Sequence, residues 1–129
     1  MDTTSMDRPI TPHEVEILRW MLEHAALGEV AFYKALPLEE LRVIVPGACD
    51  CGCTSLDFQP KAWGGGTIIA DAYALYPDGQ TAGLILWGRD GEIGLLEVYS
   101  CDPVEDRVPE IADLCTFKDH AARRAALKP

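Results

Sequence analysis

The chain has 129 residues, enough for one domain, and sets 11 basic side chains against 21 acidic ones for a net charge of −10. That balance repels phosphate backbones, which argues against DNA or RNA as a direct partner and favours a basic one. Apolar residues make up 48 % and charged residues 25 %, an ordinary globular composition, and no apolar run approaches the roughly 20 residues of a membrane helix.

The opening Met1-Asp2-Thr3-Thr4-Ser5-Met6-Asp7-Arg8 has no basic region followed by an apolar run, so no secretory signal is expected and a cytoplasmic location is. Residues 1–9 are polar and aperiodic and read as a loose tail. A complete helix start follows. Thr11 is the expected N-cap, Pro12 suits the first helical position and Glu14 closes a capping box. Ile10 and Val15 stand where a hydrophobic staple forms. At the helical period Val15, Ile17, Leu18, Met21, Leu22 and Ala25 form one apolar stripe, with Glu16, Arg19 and Glu23 opposite. Gly28 is the natural stop. Trp20 and Leu27 fall on the far flank and suggest a second contact there.

Glu29 to Leu36 reads as a shorter helix ended by Pro37, and Leu41 to Val45 as a β-branched strand. Pro46-Gly47 breaks that strand, and Cys49-Asp50-Cys51-Gly52-Cys53 leads into a short strand near Thr54 to Phe58. The back half reads as a β-meander: Thr67 to Tyr76, a Pro77-Asp78-Gly79 turn, Thr81 to Trp87, an Arg89-Asp90-Gly91 turn, and Glu92 to Ser100. Both faces of these strands are apolar. The first helix, with alanines making room for it, should cover one face. The other needs the second helix, the tail or another subunit, so a homodimer is one expectation. Asp119 to Leu127 is alanine-rich and holds Arg123 and Arg124, consistent with a terminal helix.

Five cysteines in a cytoplasmic chain read as free thiols or metal ligands rather than disulfides. In an extended segment Cys49, Cys51 and Cys53 share a face and could hold a soft ion such as Zn²⁺. Cys101, after the last meander strand, is the first choice for a fourth ligand, with Cys115, His24 and His120 as alternatives. The spacing lacks the paired pattern of structural zinc sites, and small thiols equally fill a tight strand–loop–strand corner. No Cys-x-x-Cys supports redox chemistry.

The cysteine stretch running into Ser55-Leu56-Asp57-Phe58, together with Gly94-Leu95-Leu96-Glu97-Val98-Tyr99, resembles a pattern in small uncharacterised bacterial proteins. The likeness implies a bacterial cytosolic origin and a common small fold, and it brings no catalytic residue.

No other stretch carries a reaction. Trp63-Gly64-Gly65-Gly66-Thr67 lacks the Gly-Lys-Ser/Thr ending of a phosphate loop and enters a strand. Asp71 and Glu97 both sit within apolar strands, which raises an acid pair, but separate roles are expected, with Asp71 in a polar rim or a buried hydrogen bond. The simplest turns place Tyr76 opposite Gln80 and Gly88 opposite Glu92. Asp71 then lies across from Ile85, Ile85 from Leu95, and the acids are about 12 Å apart, too far for a paired-carboxylate hydrolase. His13, His24 and His120 have no nucleophile motif beside them. Trp20, Trp63 and Trp87 are expected in or beside the core.

The sequence therefore predicts a single α+β domain over 1–129, with N-terminal helices packed on an antiparallel sheet built around the 67–100 meander. Its expected role is non-enzymatic binding: a small acidic protein capping a basic protein partner, as toxin-immunity proteins do, an analogy of size and charge. No motif calls for a cofactor. The alternative role is zinc binding, structural or enzymatic, through Cys49, Cys51, Cys53 and Cys101.

Overall fold

The computed structural model describes residues 6–28, 30–45, 55–59, 66–100 and 109–127. It is an α+β protein whose strands form one antiparallel sheet. In chain order the elements are β1 (Met6–Pro9), α1 (Pro12–His24), α2 (Ala31–Lys34), β2 (Arg42–Val45), β3 (Leu56–Asp57), β4 (Thr67–Leu75), β5 (Thr81–Arg89), β6 (Glu92–Ser100), β7 (Leu114–Cys115) and α3 (Phe117–Leu127). The strand order is β1-β2-β3-β6-β5-β4-β7. Short 3-10 turns cover Leu38–Glu40 and Ile111–Asp113.

Local chemistry sets α1. The Glu14 amide donates to Thr11 Oγ1 at 3.1 Å and the Thr11 amide to Glu14 Oε1 at 2.9 Å, a reciprocal capping box. All six residues of the expected stripe are buried, and Ile17, Leu18 and Met21 are 0 % exposed. α1 packs against β4, whose Ala70, Ala72 and Ala74 are buried in the same core as Leu84 and Leu86 of β5. The alanines let the helix approach the sheet closely. α1 ends at His24, before Gly28, because the chain is drawn onto the outer edge of β4. There Leu27 donates to the Ile69 carbonyl (3.0 Å), Asp71 donates to the Ala25 carbonyl (3.1 Å), and Ala26 bridges Ala70.

Residues 6–9 are not a loose tail. Met6–Pro9 pairs with β2, from Met6 opposite Val45 to Pro9 opposite Arg42. Two things secure it that periodicity does not show. The backbone completes a sheet edge, where a proline is tolerated. Arg8 also grips Glu14 through two parallel hydrogen bonds, 3.0 and 2.7 Å.

The meander forms with one correction to its register. Asp90 (φ 51°) and Gly91 (φ 81°) make a two-residue turn with Arg89 opposite Glu92, in place of the three-residue turn expected. A bulge then inserts Gly94, so that Gly88 faces Ile93 while Trp87 faces Leu95. The carbonyl freed at Gly94 accepts from Phe58 of the β3 segment at 2.9 Å. Turn and bulge each shift the pairing by one residue. The two shifts together preserve which face each side chain takes, but they bring Glu97 opposite Ile85.

Candidate functional site

The register sorts the sheet into two faces. One is the core, beneath α1. The other is arranged in cross-strand rows. Leu75 pairs with Thr81; Tyr73 pairs with Gly83 and Gly83 with Tyr99; Asp71 pairs with Ile85 and Ile85 with Glu97. A further row runs Ile68, Trp87, Leu95, Asp57, Ile44.

The C-terminal tail covers the first two rows, as one of the sequence alternatives required. β7 pairs Cys115 with Tyr73, and α3 follows it across the sheet. Phe117 and His120 stack on Tyr73 with ring centroids 5.8 and 4.9 Å away. Thr81, 2 % exposed, accepts a hydrogen bond from Arg124 (3.0 Å) and its hydroxyl lies 3.1 Å from His120 Nε2. The Tyr99 ring closes this region by lying over Gly83, where a Cβ would come within 2.0 Å of the ring.

The remaining rows form an apolar surface carrying acids. Ile85, Trp87 and Leu95 are half-buried, and Ile68 and Tyr99 are exposed. Asp71 and Glu97 flank Ile85 in one row, about 10 Å apart over two strand spacings. Trp87 Nε1 donates to Glu97 Oε1 at 3.1 Å and fixes that carboxylate against the sheet. The second Glu97 oxygen and the Asp71 carboxylate have no partner among the described residues. Sequence reasoning identified both acids but put them out of line. Neither turn length nor the Gly94 bulge can be read from alternation alone.

The other candidates fall elsewhere. Cys49, Cys51, Cys53 and Cys101 lie outside the described residues, as do Trp63, Gly64 and Gly65. The strands that lead to the four cysteines share one end of the sheet. β2 finishes there at Val45, β6 finishes there at Ser100, and β3 begins there next to Ser55. Ser55 accepts from the Val98 amide (2.9 Å), tying the start of β3 to the last turn of β6 pairing. Cys115 is buried in β7, where burial first, then Asp119 and Asp113, push its thiol up against the pull of Arg123. That thiol is a poor nucleophile. His13 donates to the Pro109 carbonyl at 2.8 Å and His24 stacks on Trp20 at 5.1 Å. His13 and His24 stand at opposite ends of α1 and His120 is on α3, so the three histidines do not come together. Among the described residues no three His, Cys, Asp or Glu side chains gather as metal ligands, and no helix is long and apolar enough to cross a membrane.

No protein-family model, curated protein or solved structure matches this chain, so the bacterial resemblance rests on its short motifs alone.

Proposed function

We propose that the protein is a binding protein whose second sheet face docks a basic segment of a protein partner. The observation that carries this is the Asp71–Ile85–Glu97 row: two carboxylates set into an apolar sheet surface without a cationic partner among the described residues. Glu97 is half-buried there without an ion pair among the described residues, and Asp71 beside it stands exposed to an incoming charge. A lysine or arginine supplied from outside would complete both carboxylates, and Trp87 offers an aromatic face for the same cation. The net charge of −10 attracts such a partner at a distance and speeds the encounter.

The test uses a synthetic peptide of alternating lysine and leucine, with a glutamate–leucine peptide as control. Backbone amide shifts on titration are expected to cluster at Asp71, Ile85, Trp87 and Glu97 and to shrink with added salt. An Asp71→Asn/Glu97→Gln variant should fold normally and lose them. Shifts scattered over the whole acidic surface, or unchanged in the variant, would remove the reading. A doubled native mass would instead put a second copy on the face.

A second reading, zinc binding, is favoured by the sheet end shared by Val45, Ser55 and Ser100. It holds that Cys49, Cys51, Cys53 and Cys101 bind one Zn²⁺. Native mass spectrometry should find one zinc per chain, lost in Cys51→Ser, and a chelator should loosen the fold. A metal-free, stable chain rejects it.

A further inference from the structure

We propose that α3 is a releasable cover over the second sheet face, set loose by protonation of His120. Apolar burial does not hold residues 117–126 of this helix. From Phe117 to Ala126 no residue is buried, His120 alone is half-buried, and Phe117 is 72 % exposed. Its hold on β4 and β5 is the contact of the Phe117 and His120 rings with Tyr73 and two polar contacts to a single hydroxyl, Thr81 Oγ1. Arg123 binds the Ala112 carbonyl and the Leu114 carbonyl of β7, the edge strand that leads into the helix.

The docked geometry suits a neutral ring. Arg124 donates to Thr81 Oγ1, and a neutral ring lets the Thr81 hydroxyl donate in turn to Nε2. A protonated ring makes Nε2 a donor, so two cations would converge on one buried oxygen. Tyr73 of β4 and Cys115 of β7 lie on the sheet beneath α3, β5 contributes Thr81, which does not titrate, and Asp119, Arg123 and Arg124 share the helix. Arg124 is the group among these whose charge acts on the ring. Burial first, and then Arg124, hold the His120 pKa below its ordinary 6.5. The undocked ring is therefore the stronger base. Docking is complete above 6.5 and is lost as the pH falls through the lowered value. Release uncovers Tyr73, Leu75 and Cys115 beside the Asp71–Ile85–Glu97 row and lengthens the apolar face.

Hydrogen exchange on the full chain at about pH 7.5 and about pH 5 tests this, with protection factors corrected for intrinsic exchange. Protection in α3 should fall by up to about tenfold per pH unit while α1 keeps its own. The His120 ring should titrate below 6.5 by proton NMR. His120→Gln should abolish the pH dependence. The proposal is overturned by constant α3 protection, by the same fall in His120→Gln, by joint loss in α1 and α3, or by a ring midpoint at or above 6.5. If His120→Gln does not fold, the ring titration in the unaltered chain decides. Release needs no partner, so its failure and that of the basic-partner reading are separately visible.

Discussion

α1 and α3 lie on opposite faces of one sheet and are held by different forces. α1 inserts a stripe of large apolar side chains against small sheet alanines, and its N-terminus is capped and gripped by Arg8. α3 rests on an aromatic ring and one hydroxyl, with its alanines facing outward. Burial is non-directional and each fully buried leucine or isoleucine is worth about 1.5–3 kcal/mol, whereas a hydrogen bond nets about 1 kcal/mol and depends on protonation state. The first helix therefore belongs to the fold, and the second has the makings of a moving part. The same division separates a finished sheet face from one left partly open.

The largest effect should come from the α1 side. Leu18→Ala is expected to cost about 2–5 kcal/mol in urea unfolding, because it leaves a cavity between helix and sheet. A cost under about 1 kcal/mol would mean the interface collapses freely, and the contrast between the helices would weaken. Glu14→Gln should cost about 1–3 kcal/mol by removing the charge that Arg8 grips. Burial pushes the Glu14 carboxyl up, but hydrogen bonds from Arg8 and Thr11 and the Arg8 charge more than offset it, leaving it below its ordinary 4.5. Its folded pKa is thus the lower one. Its stabilisation is present above 4.5 and is lost as the pH falls through the lowered value. That window opens at 4.5, below the 6.5 at which the His120 window opens, so acid should begin to free α3 before it loosens the β1–α1 corner. The reverse order in a pH-resolved exchange experiment would break the comparison.

The two helices also differ in how far they were legible. The 3.6-residue stripe from Val15 to Ala25 and the Thr11–Glu14 box are local signals, and both stand in the structure. The meander and its glycine turns are local too. What escaped is what depends on distant partners. Met6–Pro9 becomes a strand because β2 offers an edge and Arg8 meets Glu14. Asp71 and Glu97 come into line because a two-residue turn and one bulged glycine each shift the pairing by one residue. The Thr81–His120–Arg124 contact joins residues 39 and more positions apart, and no period in the tail announces it. The alanine-rich composition of α3 showed a helix without showing that its attachment would be polar.

A smaller effect probes the boundary between the covered and open parts of the second face. Gly83→Ala places a Cβ within 2.0 Å of the Tyr99 ring, which must swing away. The cost should be about 1 kcal/mol, since a side chain moves and not the backbone. Near-ultraviolet circular dichroism should report the displaced ring. An unchanged spectrum would mean that Tyr99 does not divide the face.

The smallest effect on global stability, and the sharpest on the comparison, is expected from Thr81→Val. The change keeps shape and removes the hydroxyl on which α3 converges. Inside the core, deleting a hydrogen-bonding partner strands the groups it served. Here those groups are His120, half-buried, and the guanidinium of Arg124, which both have water within reach. Global unfolding should therefore shift by less than about 1 kcal/mol. Exchange protection in α3 should nevertheless drop sharply at neutral pH, with α1 untouched and little further loss on acidification. If Thr81→Val destabilises the whole chain as much as Leu18→Ala, then α3 is continuous with the core, and a helix with no buried residue is being held by cooperativity through β7 and β4. If it leaves α3 fully protected, the Tyr73 ring stack is the anchor, and His120 acts through that ring and not through the hydroxyl.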